Sequence, residues 1–280
     1  MPIDVRHLRS LRSRNGLVRY GPRDAARYAL ALGLGRDAPA AAELAYLAPG
    51  PAFRALPTLA GELAAIGFLE DCGWQAAGVR HVREALRLHR PLAEADALLV
   101  DGDVTAVYDQ GPATGAGVDV ELRARGKGDG EAVFTLQRRY LATADGGCGG
   151  PRASDALPGL PARAPDLVEP VVTTPVQALW YAAGRPAEAL LPAAATADVP
   201  PGKLPASAAF GLAGLAVLKV ICEYDHTLVA SLAGELTGPV VAGERLVAEL
   251  WQDANVVRFR LVAPGRGVAV VDHGTCVLAT

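Results

Sequence analysis

The stretch from Trp180 to Ile221 has the layout of a catalytic loop that leads into a helix, but it has few groups able to transfer protons. An aromatic segment comes first, an Ala- and Pro-rich loop follows, and a nearly all-apolar helix begins near Ser207. The loop contains no His, Cys or Asn, and its only carboxylates are those of Glu188 and Asp198. Each carboxylate is a candidate general base if it is desolvated, and a solvated loop residue otherwise.

Two cations of the loop and the start of the helix are further candidate reactive groups. Arg185 is suited to clamp a carboxylate, phosphate or enolate, and the alternative is a surface arginine paired with Glu188. Lys203 is placed to contact a coenzyme or carrier phosphate, or it is an exposed loop lysine. The turn from Ser207 to Phe210 offers backbone N–H groups to a carbonyl or enolate oxygen, or it is an ordinary helix start capped by Ser207.

The aromatic and small residues around these groups predict an apolar binding wall. Trp180 and Tyr181 suit a flat, apolar ligand tunnel, although such residues more often belong to a core. We predict three catalytic residues, Arg185, Glu188 and Asp198. We predict a substrate-binding set made up of Trp180, Tyr181, Leu190, Lys203, Ser207, Ala208, Ala209 and Phe210.

Composition excludes several other functions. The 280 residues carry a net charge of −3, so no basic field exists to hold nucleic acid. The longest uncharged apolar stretch, Leu204 to Leu218, is shorter than the roughly 20 residues that span a bilayer. Four cysteines without a C-x-x-C pair, and histidines without ligand spacing, predict no metal and no cofactor. The basic N-terminus lacks the apolar core of a signal peptide, which predicts a cytoplasmic protein with reduced thiols.

The chain divides into two similar halves around a Gly- and Pro-rich stretch at 146–170. Each half reads as helix, loop, helix and then about four strands, with the period-two alternation of half-buried antiparallel strands in "DVELRAR" and "VVRFRLV". The segment "AAFGLAGLAVL" is apolar all round and must therefore be enclosed. Its glycines, Gly211 and Gly214, are expected to allow close approach of the surrounding sheet. The pattern predicts an α+β fold of two antiparallel sheets, each wrapped around a central helix.

The predicted boundaries follow from the same pattern. They are an N-terminal arm at 1–16, a first repeat at 17–150, a linker at 151–166 and a second repeat at 167–280.

With this order of segments, the chain resembles the MaoC-like, hydratase-2 type enoyl-CoA hydratases and dehydratases, which are double hot-dog proteins. The resemblance runs from about Leu17 to Thr280. "FRALPTLAGELA" and "HVREALRLHRPLAEADALLVDGDVTAVYDQG" are similar to the family's first repeat, and "AGERLVAELWQDANVVRFRLVAPGRGVAVVDHGTCVLA" to its closing strands. The resemblance implies a thioester substrate and a carbonyl polarised by a backbone amide where the central helix begins.

The family's catalytic motif is degenerate in this chain. The motif reads Gly-Asp-x-Asn-Pro-x-His, and its Asp and His activate a water. Gly184 matches the motif glycine, Arg185 stands at the aspartate position and Leu190 at the histidine position. Leucine cannot move a proton, and arginine stays protonated at any working pH. The resemblance therefore predicts the fold of a hydratase without the standard hydratase mechanism.

The second family motif, Pro-Ile-x-His-Gly at the start of the central helix, is also altered. The corresponding segment is "PASAA", which retains Pro205 but has Ala208 at the histidine position and Ala209 at the glycine position. The backbone at this helix start remains available to a ligand, whatever the side chains are.

Three functions remain open at this stage. The first is a repurposed lyase (hydro-lyase) or cyclase of polyketide or other secondary metabolism. It would act on an apolar acyl or polyketide-like substrate, possibly linked to a carrier or CoA, and dehydrate, cyclise or rearrange it by positioning and a helix N-terminus. The second is a non-catalytic subunit that shapes the tunnel of an active partner. The third is an enoyl-CoA hydratase with a relocated base, Glu188 or Asp198. A homodimer or a hot-dog heterodimer is expected.

Overall fold

The computed structural model describes residues 3–36, 41–64, 67–69, 72–153, 156–184 and 202–280. The first half contains α1 (Val5–Ser10), β1 (Arg12–Tyr20), α2 (Pro22–Ala31), α3 (Ala41–Leu47), α4 (Leu59–Leu63), β2 (Val79–Leu88), β3 (Asp96–Asp109), β4 (Ala116–Gly126) and β5 (Ala132–Ala142). The second half contains β6 (Leu167–Val172), α5 (Gln177–Gly184), β7 (Lys203–Leu204), α6 (Ala206–Val220), β8 (Val229–Leu236), β9 (Val240–Val241), β10 (Arg245–Asp253), β11 (Val256–Ala263) and β12 (Val268–Leu278).

Ten of the described strands form one antiparallel sheet in the order β1-β3-β4-β5-β2-β8-β12-β11-β10-β6. From the two edges inward, the orders are β1-β3-β4-β5-β2 and β6-β10-β11-β12-β8. These two orders match strand for strand, so β1 is equivalent to β6 and β2 to β8. The two halves are therefore structural repeats, and they meet where β2 pairs with β8. An ion pair between Arg83 and Glu235, 2.8 Å apart, crosses this junction.

Four strands of each repeat, β2–β5 in the first and β8, β10, β11 and β12 in the second, lie where the sequence predicts them. In β11, for example, Val257, Phe259 and Leu261 are buried, while Arg258 and Arg260 point away from the core. Period-two alternation is a local signal, so it places a half-buried strand without knowledge of its partners.

Helix α6 is enclosed, as its all-apolar sequence predicts. A Cβ atom on Gly214 would lie 2.7 Å from a methyl of Thr58 and 2.9 Å from Leu232 of β8, so the prediction of close sheet approach holds there. For Gly211 the close neighbours are Tyr28 and Leu32, which come from α2 and the residue after it rather than from the sheet. Both glycines thus allow neighbouring elements to approach α6 closely.

The central helix of the first repeat is much shorter than its sequence predicts. The apolar segment "PTLAGELAAIGFLEDCG" forms only the five-residue α4 and a single 3₁₀ turn at Gly67–Leu69 within the described residues. The guanidinium of Arg138 donates hydrogen bonds to the carbonyl oxygens of Gly61 (2.6 Å) and Ala64 (3.2 Å). These carbonyls are thus satisfied by a side chain rather than by a further helical turn.

The segment predicted as an N-terminal arm contains regular structure. Asp4 caps α1 by accepting from the N–H groups of Arg6 and His7, and Leu8 is fully buried. Residues 12–20 form β1, which pairs with β3 at the edge of the sheet. In the described part of the predicted linker, the backbone carbonyl of Arg163 accepts a hydrogen bond from the Trp251 indole N–H, with the nitrogen and oxygen 2.8 Å apart. No helix of the described residues combines the length and hydropathy needed to cross a bilayer.

Candidate functional site

The start of helix α6 is the first feature of the candidate site. Its N-cap is Pro205, and no described side chain caps the helix. The N–H groups of Ala208 and Ala209 point back to the Pro205 carbonyl, at 3.0 and 3.4 Å. The earlier N–H groups, those of Ala206 and Ser207, have no helical acceptor, and they carry the positive end of the helix dipole. Ser207 therefore lies inside the helix, so the alternative in which Ser207 caps the helix does not apply.

The Ser207 side chain belongs to a buried hydrogen-bonded group that joins the two repeats. The Tyr181 hydroxyl of α5 donates to the Glu62 carboxyl of α4 over 2.5 Å, and its oxygen lies 3.2 Å from the Ser207 hydroxyl. A phenol has one proton to donate, so Ser207 is the donor in the second bond. Tyr181 is 1% exposed, Glu62 3% and Ser207 8%.

The environment keeps the Tyr181 phenol protonated. Burial raises the pKa of its hydroxyl well above the ordinary value, and the neighbouring Glu62 carboxyl raises it further. The protonated phenol can donate a proton and a carboxylate can accept one, so the two groups in contact form an acid–base couple. The ring of Tyr28 packs against Tyr181 with centroids 6.2 Å apart, and the Tyr28 hydroxyl donates to Thr58 over 3.2 Å.

A second buried carboxyl lies behind this group. Arg138 donates to Glu84 over 3.3 Å, and both side chains are almost fully buried. A Cβ atom on Gly61 would lie only 2.7 Å from the Glu84 carboxyl, so Glu84 packs directly against α4. Arg138 thus bonds to Glu84 and, through two backbone carbonyls, to α4, and so fixes the helix that presents Glu62.

Among the described residues, the buried charged side chains of this cluster are those of Glu62, Glu84 and Arg138. Burial, and then the charge of Arg138, hold the pKa of His81 well below its ordinary value, so His81 adds no charge. Burial raises the pKa of Glu84, an effect that Arg138 partly opposes.

The structure brings two of the predicted site residues together and separates the others. Tyr181 and Ser207 are in contact through their hydroxyls. Ala208, Ala209 and Phe210 are packed in the core, whereas Trp180 is 45% exposed. Lys203 lies in β7, opposite Val241, and is partly exposed. The predicted residues Arg185, Glu188, Leu190 and Asp198 lie outside the described residues, and their roles remain predictions.

Sequence reasoning missed Glu62, Glu84 and Arg138. The available signal was a charged residue at an inward position of an otherwise apolar segment, as in "PTLAGELAA" for Glu62. A charged group at such a position is rarely fully buried without a partner.

A groove of about 390 Å³ opens between α6 and the edge strand β6. Its apolar lining includes Leu32, Leu34, Val171, Leu212 and Leu215. Its lining also includes the charged residues Arg36, Glu43, Glu169 and Lys219, and the Lys219 ammonium lies 2.5 Å from the Glu169 carboxyl. The groove therefore offers both apolar and charged contacts to a ligand.

Among the described residues, no three His, Cys, Asp or Glu side chains come together in a way that could hold a metal ion.

Comparison with known proteins adds sequence and fold relatives. No family model matches the chain. It is 30% identical over 257 residues to the enoyl-CoA hydratase ChsH3 of Mycobacterium tuberculosis, and the match covers 88% of each chain.

Solved structures agree on the fold. A MaoC-like dehydratase from Phytophthora capsici superimposes with a TM-score of 0.81 at 21% identity, covering 99% of this chain and 98% of that one. A Mycobacterium tuberculosis protein described as having a double hot-dog fold superimposes with a TM-score of 0.56 at 17% identity, over 95% and 94% of the two chains. The α+β, double hot-dog architecture predicted from the sequence is confirmed.

Proposed function

Because the chain belongs to the family of MaoC-like, hydratase-2 type enoyl-CoA hydratases and dehydratases, we propose that it catalyses a lyase reaction on an acyl thioester. The reaction is the reversible addition of water to a 2-enoyl thioester, which gives the 3-hydroxyacyl thioester. The thioester carbonyl oxygen is held against the first turn of α6. One observation carries the proposal: α6 begins at a turn that no described side chain caps, with the Ser207 hydroxyl and the Tyr181–Glu62 pair beside it.

The carbonyl position follows from the electrostatics of the helix start. Negative charge develops on the thioester oxygen when C2 loses a proton or C3 gains a water. N–H donors that are fixed before the reaction stabilise this charge without reorganising. The buried surroundings of Ser207 and Tyr181 strengthen such interactions, because water does not screen them.

The acyl chain is proposed to lie in the groove between α6 and β6. Leu212 lines that groove, five residues after Ser207, which is a distance of roughly 8 Å along the helix axis. The apolar lining favours a hydrophobic acyl group. The polyketide-like character of the substrate, and cyclisation or rearrangement as the reaction, remain proposals from the sequence, which the groove neither requires nor excludes.

The test is a turnover assay with purified protein and 2-enoyl-CoA thioesters of increasing chain length, together with the corresponding 3-hydroxyacyl thioesters. We expect hydration and dehydration, with kcat/KM rising roughly tenfold when two methylenes are added, since each buried methylene contributes about 0.8 kcal/mol. Ala216→Leu, which narrows the groove, is expected to reduce that gain. No turnover of CoA or carrier thioesters in either direction would contradict the proposal.

A second candidate function, a non-catalytic subunit of a hot-dog heterodimer, is favoured by an exposed apolar strip. Val168 and Val172 of β6, Leu179 and Trp180 of α5 and the intervening Val176 are all exposed, Leu179 by 71%. Such a strip is typical of a protein interface. Light scattering and the turnover assay together distinguish the two functions. A stable homodimer that turns over thioesters supports the enzyme. Activity that appears only with a hot-dog partner that retains Asp and His supports the non-catalytic subunit.

A further inference from the structure

We propose that Glu62 and Tyr181 are the acid–base residues of this site, a pair that spans the two repeats and replaces the Asp and His of the family motif. The proposal rests on the proposed function, since it assigns the proton transfers of that reaction. It concerns residues of α4 and α5 that the sequence motifs do not mark.

The first support is position. Glu62 comes from the first repeat and Tyr181 from the second, and they meet over 2.5 Å beside the first turn of α6. Ser207, the most exposed member at 8%, connects the pair to that turn. A thioester carbonyl at the turn therefore brings C2 and C3 to the side of α6 on which the carboxyl and the phenol lie.

The second support is the burial of the Glu62 carboxyl, which is 3% exposed and accepts a hydrogen bond from the Tyr181 phenol. Arg138 has a carboxyl partner in Glu84. Glu62 is a further buried acid, and burying an acid is costly. Glu84, Arg138 and Tyr28 surround the pair, and Glu62 raises the pKa of both Tyr28 and Tyr181. A buried acid in direct contact with a protonated phenol is suited to proton transfer during turnover.

The proton transfers balance without any further reactant. In the dehydration direction, the Glu62 carboxylate accepts the proton from C2, and the electron pair of the C2–H bond forms the C2=C3 double bond. The C3–O bond breaks as the Tyr181 hydroxyl gives its proton to the departing oxygen, which leaves as water. The proton on Glu62 then passes to the Tyr181 oxygen along their hydrogen bond, and the site returns to its starting state.

The test separates the two roles by measuring two rates in each variant. One is water elimination from a 3-hydroxyacyl-CoA. The other is exchange of the C2 protons of a saturated acyl-CoA with D₂O, which requires only the base. Glu62→Gln is expected to lower both rates by about 100-fold or more. Tyr181→Phe is expected to lower elimination by a similar factor and to leave C2 exchange within about tenfold of the wild type.

Matched controls come from the same cluster. Glu84→Gln alters a buried carboxyl that bonds to Arg138, and Tyr28→Phe removes a buried hydroxyl that bonds to Thr58. Both are expected to keep each rate within about fivefold of the wild type, because general acid–base effects of 100-fold or more belong to the reacting groups. Thermal unfolding monitored by circular dichroism identifies variants that fail to fold.

The outcomes distinguish a failure of the acid–base pair from a failure of the proposed function. Wild-type turnover that persists within threefold in folded Glu62→Gln and Tyr181→Phe would overturn the pair but leave the proposed function intact. A wild type without turnover or exchange would overturn the proposed function, and the pair with it. If Glu62→Gln does not fold, Glu62→Asp is used, which keeps the carboxyl but withdraws it by one methylene. An unchanged elimination rate in folded Glu62→Asp would then overturn the pair.

Discussion

Replacing Arg138 with methionine is expected to lower the free energy of unfolding by about 3–5 kcal/mol at neutral pH, because it leaves a buried carboxylate without its partner. Arg138 donates to Glu84 and to the carbonyl oxygens of Gly61 and Ala64. Methionine fills much of the same volume but satisfies none of these acceptors. Urea unfolding monitored by circular dichroism measures the change.

The pH dependence of this loss has a definite sign. Burial already raises the pKa of Glu84, and Arg138 opposes the rise, so the pKa of Glu84 rises further in the variant. A carboxyl with a raised folded-state pKa is stable in its protonated form, and its burial becomes costly as pH rises through that pKa. The deficit of Arg138→Met is therefore expected to shrink as pH falls from neutral to mildly acidic values.

Two further variants test whether the uncompensated charge causes the loss. Arg138→Met combined with Glu84→Leu is expected to recover at least half of the lost stability, since it removes the orphaned carboxylate. Arg123→Met, which breaks a surface ion pair with Asp103, is expected to cost about 1 kcal/mol or less. A loss below about 1 kcal/mol in Arg138→Met would mean that the cluster is not the buried charge network described above.

Phe210→Ala is expected to lower the free energy of unfolding by about 3–5 kcal/mol, because it deletes a buried ring and leaves a cavity. The sequence predicted Phe210 as a substrate-binding residue. The structure places it in the second turn of α6 with 2% of its surface exposed. Phe210→Leu, which keeps most of the apolar volume, is expected to cost about 1.5 kcal/mol or less, and urea unfolding measures both.

Trp180→Ala is the matched control, since Trp180 carries a larger ring but is 45% exposed. Trp180→Ala is expected to cost less than Phe210→Ala, because nearly half of the Trp180 surface is already in water. If Phe210→Ala instead left stability unchanged and raised KM, Phe210 would be part of the substrate wall, as the sequence suggested.

The sequence predicted most of the fold because the strongest signals in it are local. The alternation in "DVELRAR" and "VVRFRLV" identifies strands without reference to their partners, and the apolar α6 identifies an enclosed helix. Strand β1 gave no such signal, since "RSRNGLVRY" is mostly polar and the strand exists because it pairs with β3. The short length of α4 could not be predicted either, because the helix ends where Arg138, which is far away in the sequence, donates hydrogen bonds to its carbonyl oxygens.

The candidate site could be predicted only in part, for a related reason. Tyr181 and Ser207 lie close enough in sequence to be considered together, and the structure joins them. Glu62 lies 119 residues before Tyr181, and no spacing rule connects the two. Their contact is a product of the double hot-dog architecture, in which α4 of the first repeat packs beside the central helix of the second.

The most direct test of the account is the infrared carbonyl band of a bound saturated acyl-CoA labelled with ¹³C at C1. Difference spectra with labelled and unlabelled ligand isolate this one band from those of the protein. The N–H groups at the start of α6 are expected to polarise the carbonyl and to shift its band to lower frequency than in free solution. A ligand that binds with its carbonyl band at the free-solution frequency would contradict the placement of the thioester at this helix start.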